Sequence, residues 1–289
     1  MNKFLSIALA SALSCSVVSA KEISIGAVMP MSGPLAAYGQ VTNLGVELAH
    51  KQQPTLKNGD TIKIVLLDNK GDKVETATAT TRLISSDKVV AILGALTSTN
   101  TAQTIAIADK KGIPVIAPVA TNDQLTAKRT FANRVCFTDS FQGEVVANYA
   151  KAQAYKTAVV VVDQSQVYSL GLAKAFETAF KKNGGEIVKT IKITSGDKDF
   201  KAVVSQIKET NPDFMFLPLY HPEASMIARQ SKQLGLEKPM FSGDGVANQT
   251  FIDLGGDAVN GYMFTDFFDY TNPPSQKSAE FIAYHEKET

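Results

Sequence analysis

The chain has 289 residues, with 29 Lys and Arg against 28 Asp and Glu and a formal net charge of +1. This balance provides no basic field for nucleic acid and no polybasic patch for lipid headgroups. With two cysteines in the whole chain, a disulfide-stapled scaffold is excluded, so stability must come from packed cores, and the length allows one large domain or two of ordinary size.

Met1-Asn2-Lys3 is a short basic start, residues 4–18 are apolar or small, and Val18-Ser19-Ala20 places small residues where a signal peptidase reads. This is the pattern of a secretory signal peptide with cleavage after Ala20. The apolar run is shorter than the ~20 residues that span a bilayer, and Ala12-Leu13-Ser14 before Cys15 is a poor lipidation context. Cleavage removes Lys3 and no acid, which balances basic and acidic residues at 28 each and leaves Cys136 as the remaining cysteine. The mature chain is expected to be exported and soluble. Cys136, in Arg134-Val135-Cys136-Phe137, reads as part of a strand and as a buried, inert thiol.

Residues 23–28 read as a strand, followed by a breaker-rich turn, Met29-Pro30-Met31-Ser32-Gly33-Pro34. Tyr38 and Gly39 open a helix with Val41, Leu44 and Leu48 on its apolar face. A strand follows at 61–67, and Asp72-Lys73-Val74-Glu75 has the form of a capping box starting a helix that reaches Ser86. Residues 68–72 resemble a calcium loop superficially, but Gly71 is misplaced and no bidentate Glu follows at the required position.

The most informative stretch is 89–121. A buried strand at 89–93 ends at Gly94-Ala95, and Thr97, Ser98, Thr99, Asn100 and Thr101 then start a helix that runs to about Lys111. Small hydroxyl and amide side chains cap the first turn of a helix, where free N–H groups also favour an anion. Gly112 stops the helix, residues 113–117 form the next strand, and Val119-Ala120-Thr121 is its polar turn. In a parallel sheet such adjacent strand ends share one crevice. No strong acid, base or metal ligand stands in these two strand-end turns, which suits holding a small zwitterion better than transforming one.

After an irregular polar segment to Arg134, Asp139-Ser140-Phe141-Gln142-Gly143-Glu144 reads as a capped helix start. A second series follows, with strands at 158–162, 186–193, 214–219, 239–242 and 262–265. Its helices are expected at 142–153, 171–183, 200–210 and 223–234. Polar turns around Gln164–Tyr168, Tyr220–Glu223 and Gly243–Asn248 follow three of these strands. His221 reads as a structural hydrogen-bonding residue, and His50 and His285 read as solvent-facing. Asn272-Pro273-Pro274 breaks the chain before an amphipathic helix at 275–287 that stops without a strand to follow. Two consecutive βα series imply two doubly wound α/β lobes. No Gly-x-Ser-x-Gly elbow, metal-spaced His pair or reactive Cys–His pair is present, so an enzyme is not expected. A signal peptide stands where a lobed transcription regulator would carry its helix-turn-helix.

Met31–Gly39 (MSGPLAAYG), Leu96–Thr101 (LTSTNT), Pro118–Thr121 (PVAT), the Tyr168 turn before GLA, Tyr220–Glu223 (YHPE) and Gly243–Asn248 (GDGVAN) occur in order and at matching spacing. In these pieces the mature chain resembles, nearly end to end, the periplasmic leucine/isoleucine/valine-binding proteins of ABC importers. The resemblance implies two Rossmann-like lobes joined by three hinge strands, with a signal peptide at 1–20, lobe one at 21–138, lobe two at 139–267 and a return toward lobe one at 268–289. It also implies that a C-terminal portion completing both lobes lies beyond Thr289. The implied activity is capture of a branched-chain or other small aliphatic L-amino acid in the periplasm and its delivery to a membrane permease by lobe closure. A periplasmic sensor signalling to a membrane receptor is the alternative. No cofactor, metal or nucleic acid is implied, and a monomer is expected.

By the same resemblance, the ligand carboxylate meets the Ser98 hydroxyl and the Thr121 N–H. The ammonium meets the Val119 carbonyl, the Thr121 hydroxyl and Asp244. Tyr38, Leu96, Thr97, Tyr168 and Tyr220 wall the side-chain pocket. Many relatives carry Glu in place of Asp244, one methylene longer. Some carry Cys in place of Thr97 and again near Gly71, forming a disulfide this chain cannot make.

Overall fold

A computed structural model describes residues 20–289; the expected signal peptide and Cys15 therefore fall almost entirely outside the described residues. The chain alternates strand and helix. The first series is β1 (Glu22–Met29), α1 (Ala36–Gln52), β2 (Thr61–Asp68), α2 (Lys73–Ser85), β3 (Ala91–Gly94), α3 (Ser98–Ala108), β4 (Val115–Ala117) and β5 (Ala132–Arg134). The second is α4 (Asp139–Ala152), β6 (Thr157–Asp163), α5 (Val167–Lys182), β7 (Glu186–Ile193), α6 (Lys201–Thr210), β8 (Phe214–Phe216), α7 (His221–Gln233), β9 (Met240–Ser242), α8 (Gln249–Gly255), β10 (Met263–Phe264) and α9 (Gln276–Glu288).

Each series makes one five-stranded parallel sheet, in the orders β2-β1-β3-β4-β5 and β10-β9-β8-β6-β7. Read from its second strand outward, each sheet has the same 2-1-3-4-5 winding, and the direction of winding reverses beside its first strand. Ligand crevices form at such reversal points, outside the carboxyl ends of the strands. Both sheets are covered on two faces. Val28, Ile92, Val115 and Leu83 fill one side of the first, and Ala27, Met29 and Leu96 the other. Val159, Val161, Met215 and Leu217 alternate with Val160, Val162, Phe214 and Phe216 across the second. Fully buried parallel strands need apolar residues on both faces, which explains the unbroken apolar run Ala158–Val162.

Local signals set most element ends. Asp72 caps α2 by accepting from the N–H groups of Val74 and Glu75, but Glu75 pairs with Lys70 Nζ at 3.0 Å instead of closing the box. α3 passes into a single 3-10 turn over Asp109–Lys111, and Gly112, at φ +67°, ends it. Gly39 is fixed by close approach: a Cβ there would lie 2.1 Å from the Pro30 carbonyl oxygen.

Several expectations are corrected. Val41 is 69% and Leu44 37% exposed, so the buried face of α1 is Gly39, Asn43 and Leu48. Helical spacing identifies a stripe but not which neighbour covers it. His50 does not face solvent freely: its Nε2 is 2.8 Å from the Ile62 carbonyl. The strand expected around Cys136 ends at Arg134, and the Cys136 thiol, donating to the Ala120 carbonyl, is pushed up to about 11 by burial. The strand expected at 214–219 stops at Phe216, because Pro218 has no N–H to continue the ladder. α5 begins at Val167, ahead of the expected Gly171, which moves Tyr168 from a turn into the first turn of a helix. α7 likewise begins at His221, with Pro222 in its first turn, where a missing N–H costs nothing. α8, capped by Asn248, was not expected.

Candidate functional site

The carboxyl ends of β1, β3 and β4 in the first lobe face those of β6, β8 and β9 in the second. The turns there carry Tyr38, Leu96-Thr97-Ser98 and Val119-Ala120-Thr121 on one side, and Tyr168, Tyr220 and Asp244 on the other. Leu96, Thr97, Ser98, Thr121, Tyr168, Tyr220 and Asp244 are all buried, while Tyr38 and Val119 are half-buried. Most of these side chains carry a polar atom.

On the first lobe, the hydroxyl-rich turn divides its work. Thr97, rather than Ser98, caps α3 by accepting from the Asn100 N–H. Thr101 accepts from the Ala95 N–H at 3.0 Å, and Ser98 accepts from the Asn122 N–H at 3.3 Å. Ser98 therefore ties the β3 turn to the β4 turn. Arg134 holds the second turn by donating to the carbonyls of Ala120 and Asn122 at 3.3 and 2.8 Å.

The lobes are in contact. The Tyr38 hydroxyl donates to the Asp244 carbonyl at 2.6 Å. Thr99 donates to Gln166 Oε1 at 2.8 Å and accepts from the Val167 N–H at 3.0 Å. Asn122 Nδ2 donates to the Val167 carbonyl at 3.2 Å. Tyr168 and Tyr220 stack with centroids 5.0 Å apart, and Tyr38 meets Tyr220 edge-on at 6.3 Å and lies parallel to His221 at 6.0 Å. Burial lowers the His221 imidazole to about 4, so it is neutral and acts in packing and hydrogen bonding.

A small cavity of about 160 Å³ lies at this junction, lined by Tyr38, Val41, Val119, Asp244, Asp266 and Phe267 among others. Larger depressions lie elsewhere, such as that between Lys232 and Tyr262 on the outer face of the second lobe, which contains none of the candidate residues.

The turn at Asp244 is built by its neighbours. The Asp244 N–H donates to Gln142 Oε1 at 3.0 Å, and the Gly245 N–H donates to the Tyr168 hydroxyl at 3.0 Å. The Asp244 carboxyl is less well provided for: its Oδ1 is buried with no hydrogen-bond partner, as are the Thr121 hydroxyl and Asp139 Oδ1. Such a group costs roughly 1–3 kcal/mol when left unpaired. Burial raises the Asp244 carboxyl to about 7 and the Asp139 carboxyl to about 7. Burial, and next the charge of Asp244, also push the Tyr38, Tyr168 and Tyr220 hydroxyls well up, so all three stay protonated donors. Asp244 Oδ1 and Asp139 Oδ1 are acceptors without a donor, the Thr121 hydroxyl can give or accept, and Gln142 Nε2 is a donor also left unpaired. A ligand that offers donors to the carboxyls suits this interface, and an ammonium group only donates.

A sequence profile described as periplasmic binding protein matches residues 22–289. The chain belongs to the periplasmic binding protein family. This is a family of binding proteins, not of enzymes. Among curated relatives, the Leu/Ile/Val-binding protein BraC3 of Rhizobium johnstonii is 31% identical over 283 residues, covering 96% of this chain and 76% of that protein. The Leu/Ile/Val-binding protein of Escherichia coli is 31% identical over 261 residues, covering 89% and 71%. Among solved structures, the leucine binding protein LivK of Thermotoga maritima superposes with a TM-score of 0.90 at 35% identity, covering 92% of this chain and 76% of that one. LivJ of Streptococcus pneumoniae, solved in complex with isoleucine, gives 0.85 at 34%, covering 93% and 77%. The two-lobed α/β architecture of the periplasmic binding protein is thus shared along nearly the whole described chain.

Of the nine expected site residues, Tyr38, Val119 and Asp244 line the junction cavity and Tyr168 and Tyr220 stack beside Tyr38, while Leu96, Thr97, Ser98 and Thr121 are buried in the first-lobe turns and do not line it. The structure adds residues that sequence reasoning did not select: Asn122, Asp139, Gln142 and Thr99. Asp139 and Gln142 stood out only as a helix start, whose actual cap is Thr138. Among the described residues, no group of His, Cys, Asp and Glu could hold a metal ion, and no helix is long and apolar enough to cross a membrane.

Proposed function

We propose that this periplasmic binding protein captures a branched-chain or other small aliphatic L-amino acid in the periplasm and delivers it, as a monomer, to the permease of an ABC importer. The observation that carries this reading is the pair of buried, unpartnered acceptors at Thr121 Oγ1 and Asp244 Oδ1. The ligand's ammonium donates to both and to the Val119 carbonyl. Its carboxylate accepts from the Ser98 hydroxyl and the Thr121 N–H, beside the start of α3, where the helix dipole favours negative charge. Tyr38, Leu96, Thr97, Tyr168 and Tyr220 enclose the apolar side chain. Charge-assisted bonds of this kind are about twice as strong as neutral ones.

Ligand that touches both lobes stabilises the closed arrangement over the open one, so closure follows from differential affinity. We assign the signal peptide to 1–20, the first lobe to 21–138, the second to 139–267 and the return segment to 268–289. An ion pair between Lys51 on α1 and Glu288 on α9 supports that return. The relatives named for leucine, isoleucine and valine, and the isoleucine-bound neighbour, support the ligand class. Calorimetric titration of the mature protein against all the common amino acids tests it: aliphatic amino acids bind tightest. A protein that binds none of them, or prefers acidic ones, overturns the reading.

A further inference from the structure

Asp139 is the first residue of α4, in the segment leading from the first sheet into the second lobe, and it is fully buried. Its N–H donates to the Thr121 carbonyl at 2.9 Å, which sets it directly beside that residue. Asp139 Oδ2 accepts from Asn122 Nδ2 at 3.2 Å. Oδ1 makes no hydrogen bond of normal geometry, nor does the Thr121 hydroxyl, yet that hydroxyl is near enough to hold the Asp139 carboxyl down against the effect of burial.

We propose that Asp139 orients the Thr121 hydroxyl toward the ligand's ammonium group and so acts as a positioning residue for amino-acid recognition; this rests on the amino-acid reading above. A hydroxyl has one proton to give and two lone pairs, whereas an ammonium only donates. For Thr121 to accept from the ammonium, its own proton must be directed elsewhere. Asp139 Oδ1 is the adjacent acceptor without other employment. When Thr121 donates to Asp139, both orphaned atoms are satisfied and the hydroxyl's lone pairs face the ligand.

The carboxyl is held in place from both lobes. Asn122, from the first lobe, bonds Asp139 and also the Val167 carbonyl of α5. Gly171 of α5 completes the cradle, since a Cβ there would lie 2.1 Å from Asn122 Nδ2 and 2.7 Å from Asp139 Oδ2. The orientation of Thr121 is thereby assembled when α5 docks against the β4 turn, which links ammonium recognition to lobe closure.

The test titrates wild type, Asp139→Asn, Thr121→Val, Thr121→Ser and the Asp139→Asn/Thr121→Val double variant with leucine and with its des-amino analogue. Asp139→Asn is expected to weaken leucine by about tenfold or more while changing the analogue by less than about threefold. In the Thr121→Val background the same change has little further effect on leucine, because the hydroxyl it orients is gone. Thr121→Ser keeps the hydroxyl and keeps the sensitivity to Asp139. Asn122→Ala, which frees the carboxyl without removing it, also narrows the leucine-to-analogue ratio and serves if Asp139→Asn does not fold. Equal losses for both ligands, or full additivity with Thr121→Val, overturns the proposal and leaves Asp139 a structural residue. Failure of wild type to prefer leucine over the analogue sinks the amino-acid reading itself, whereas a preserved preference in Asp139→Asn and Asn122→Ala sinks the positioning role alone.

Discussion

The Tyr38 hydroxyl in the first lobe donates to the Asp244 carbonyl in the second at 2.6 Å. It is a hydrogen bond between residues 206 positions apart, made at the end of α1 nearest the cleft, and it exists only when the lobes meet. Tyr38→Phe keeps the ring against Tyr220 and His221 and removes this bond. One neutral hydrogen bond contributes about 0.5–1.5 kcal/mol, so ligand affinity should fall roughly threefold to tenfold. Thermal stability of the unliganded protein should change little if the free form is mainly open. Calorimetry and a melting curve check both.

On the proposed reading the Asp244 carboxylate meets the ligand's ammonium. Removing one partner of a buried ion pair costs roughly 3–5 kcal/mol, so Asp244→Asn should weaken leucine binding by two or more orders of magnitude. Asp244→Glu restores the longer reach and should stay within about tenfold of wild type. Titration of both variants with leucine, valine and alanine decides this. Wild-type-like binding by Asp244→Asn would mean that no ammonium pairs with it.

Ser98 and Thr121 can be separated by the same measurement. Ser98→Ala removes the hydroxyl proposed to meet the carboxylate along with the bond from the Asn122 N–H at 3.3 Å. Thr121→Ala removes only the side chain and leaves its backbone N–H. Both should weaken amino-acid binding by about tenfold, the size of one charge-assisted hydrogen bond, with the protein still folded by circular dichroism.

Ligand binding should depend on pH through Asp244. With the lobes in contact, burial raises this carboxyl to about 7 and that of Asp139 to about 7. Both are above the ordinary carboxylate range. Between about pH 4 and about pH 7 the folded chain therefore holds protons that the unfolded chain has released, and these groups stabilise it less as pH rises through that window. His221, lowered to about 4, works in the opposite direction, favouring the folded state more as pH rises from about 4 to about 6.5. On the proposed reading an ammonium ligand pairs with ionised Asp244, so binding to the closed arrangement below about pH 7 releases a proton. Leucine affinity should then fall by up to about tenfold per pH unit as pH drops below that point. Calorimetry from about pH 5 to about pH 8 shows the slope, and Asp244→Asn, though weak in binding, should flatten it.

Fold class was legible in the sequence because its causes are local. Apolar runs such as Val159–Val162, helix caps such as Asp72 and stops such as Gly112 act within a few residues of themselves. Their alternation requires parallel sheets covered on two faces. The position of the candidate turns was legible for a related reason: Thr97-Ser98 and Val119-Ala120-Thr121 follow buried strands, and crevices in such sheets open at the strand ends. Boundaries were less so. α5 and α7 begin earlier than expected, since Gln166 and Tyr220 make no side-chain cap bond that sequence could signal. The exposure of Val41 and Leu44 was not legible at all, because which neighbour covers a helical stripe is set by packing. Tertiary structure alone joined Tyr38 to Asp244, and Thr99 and Asn122 to Val167. It alone revealed Asp139 as a buried carboxyl beside Thr121, where the sequence offered only a helix start. Those contacts span tens to hundreds of residues, and no local propensity encodes them; they arise from the docking of two separately wound lobes.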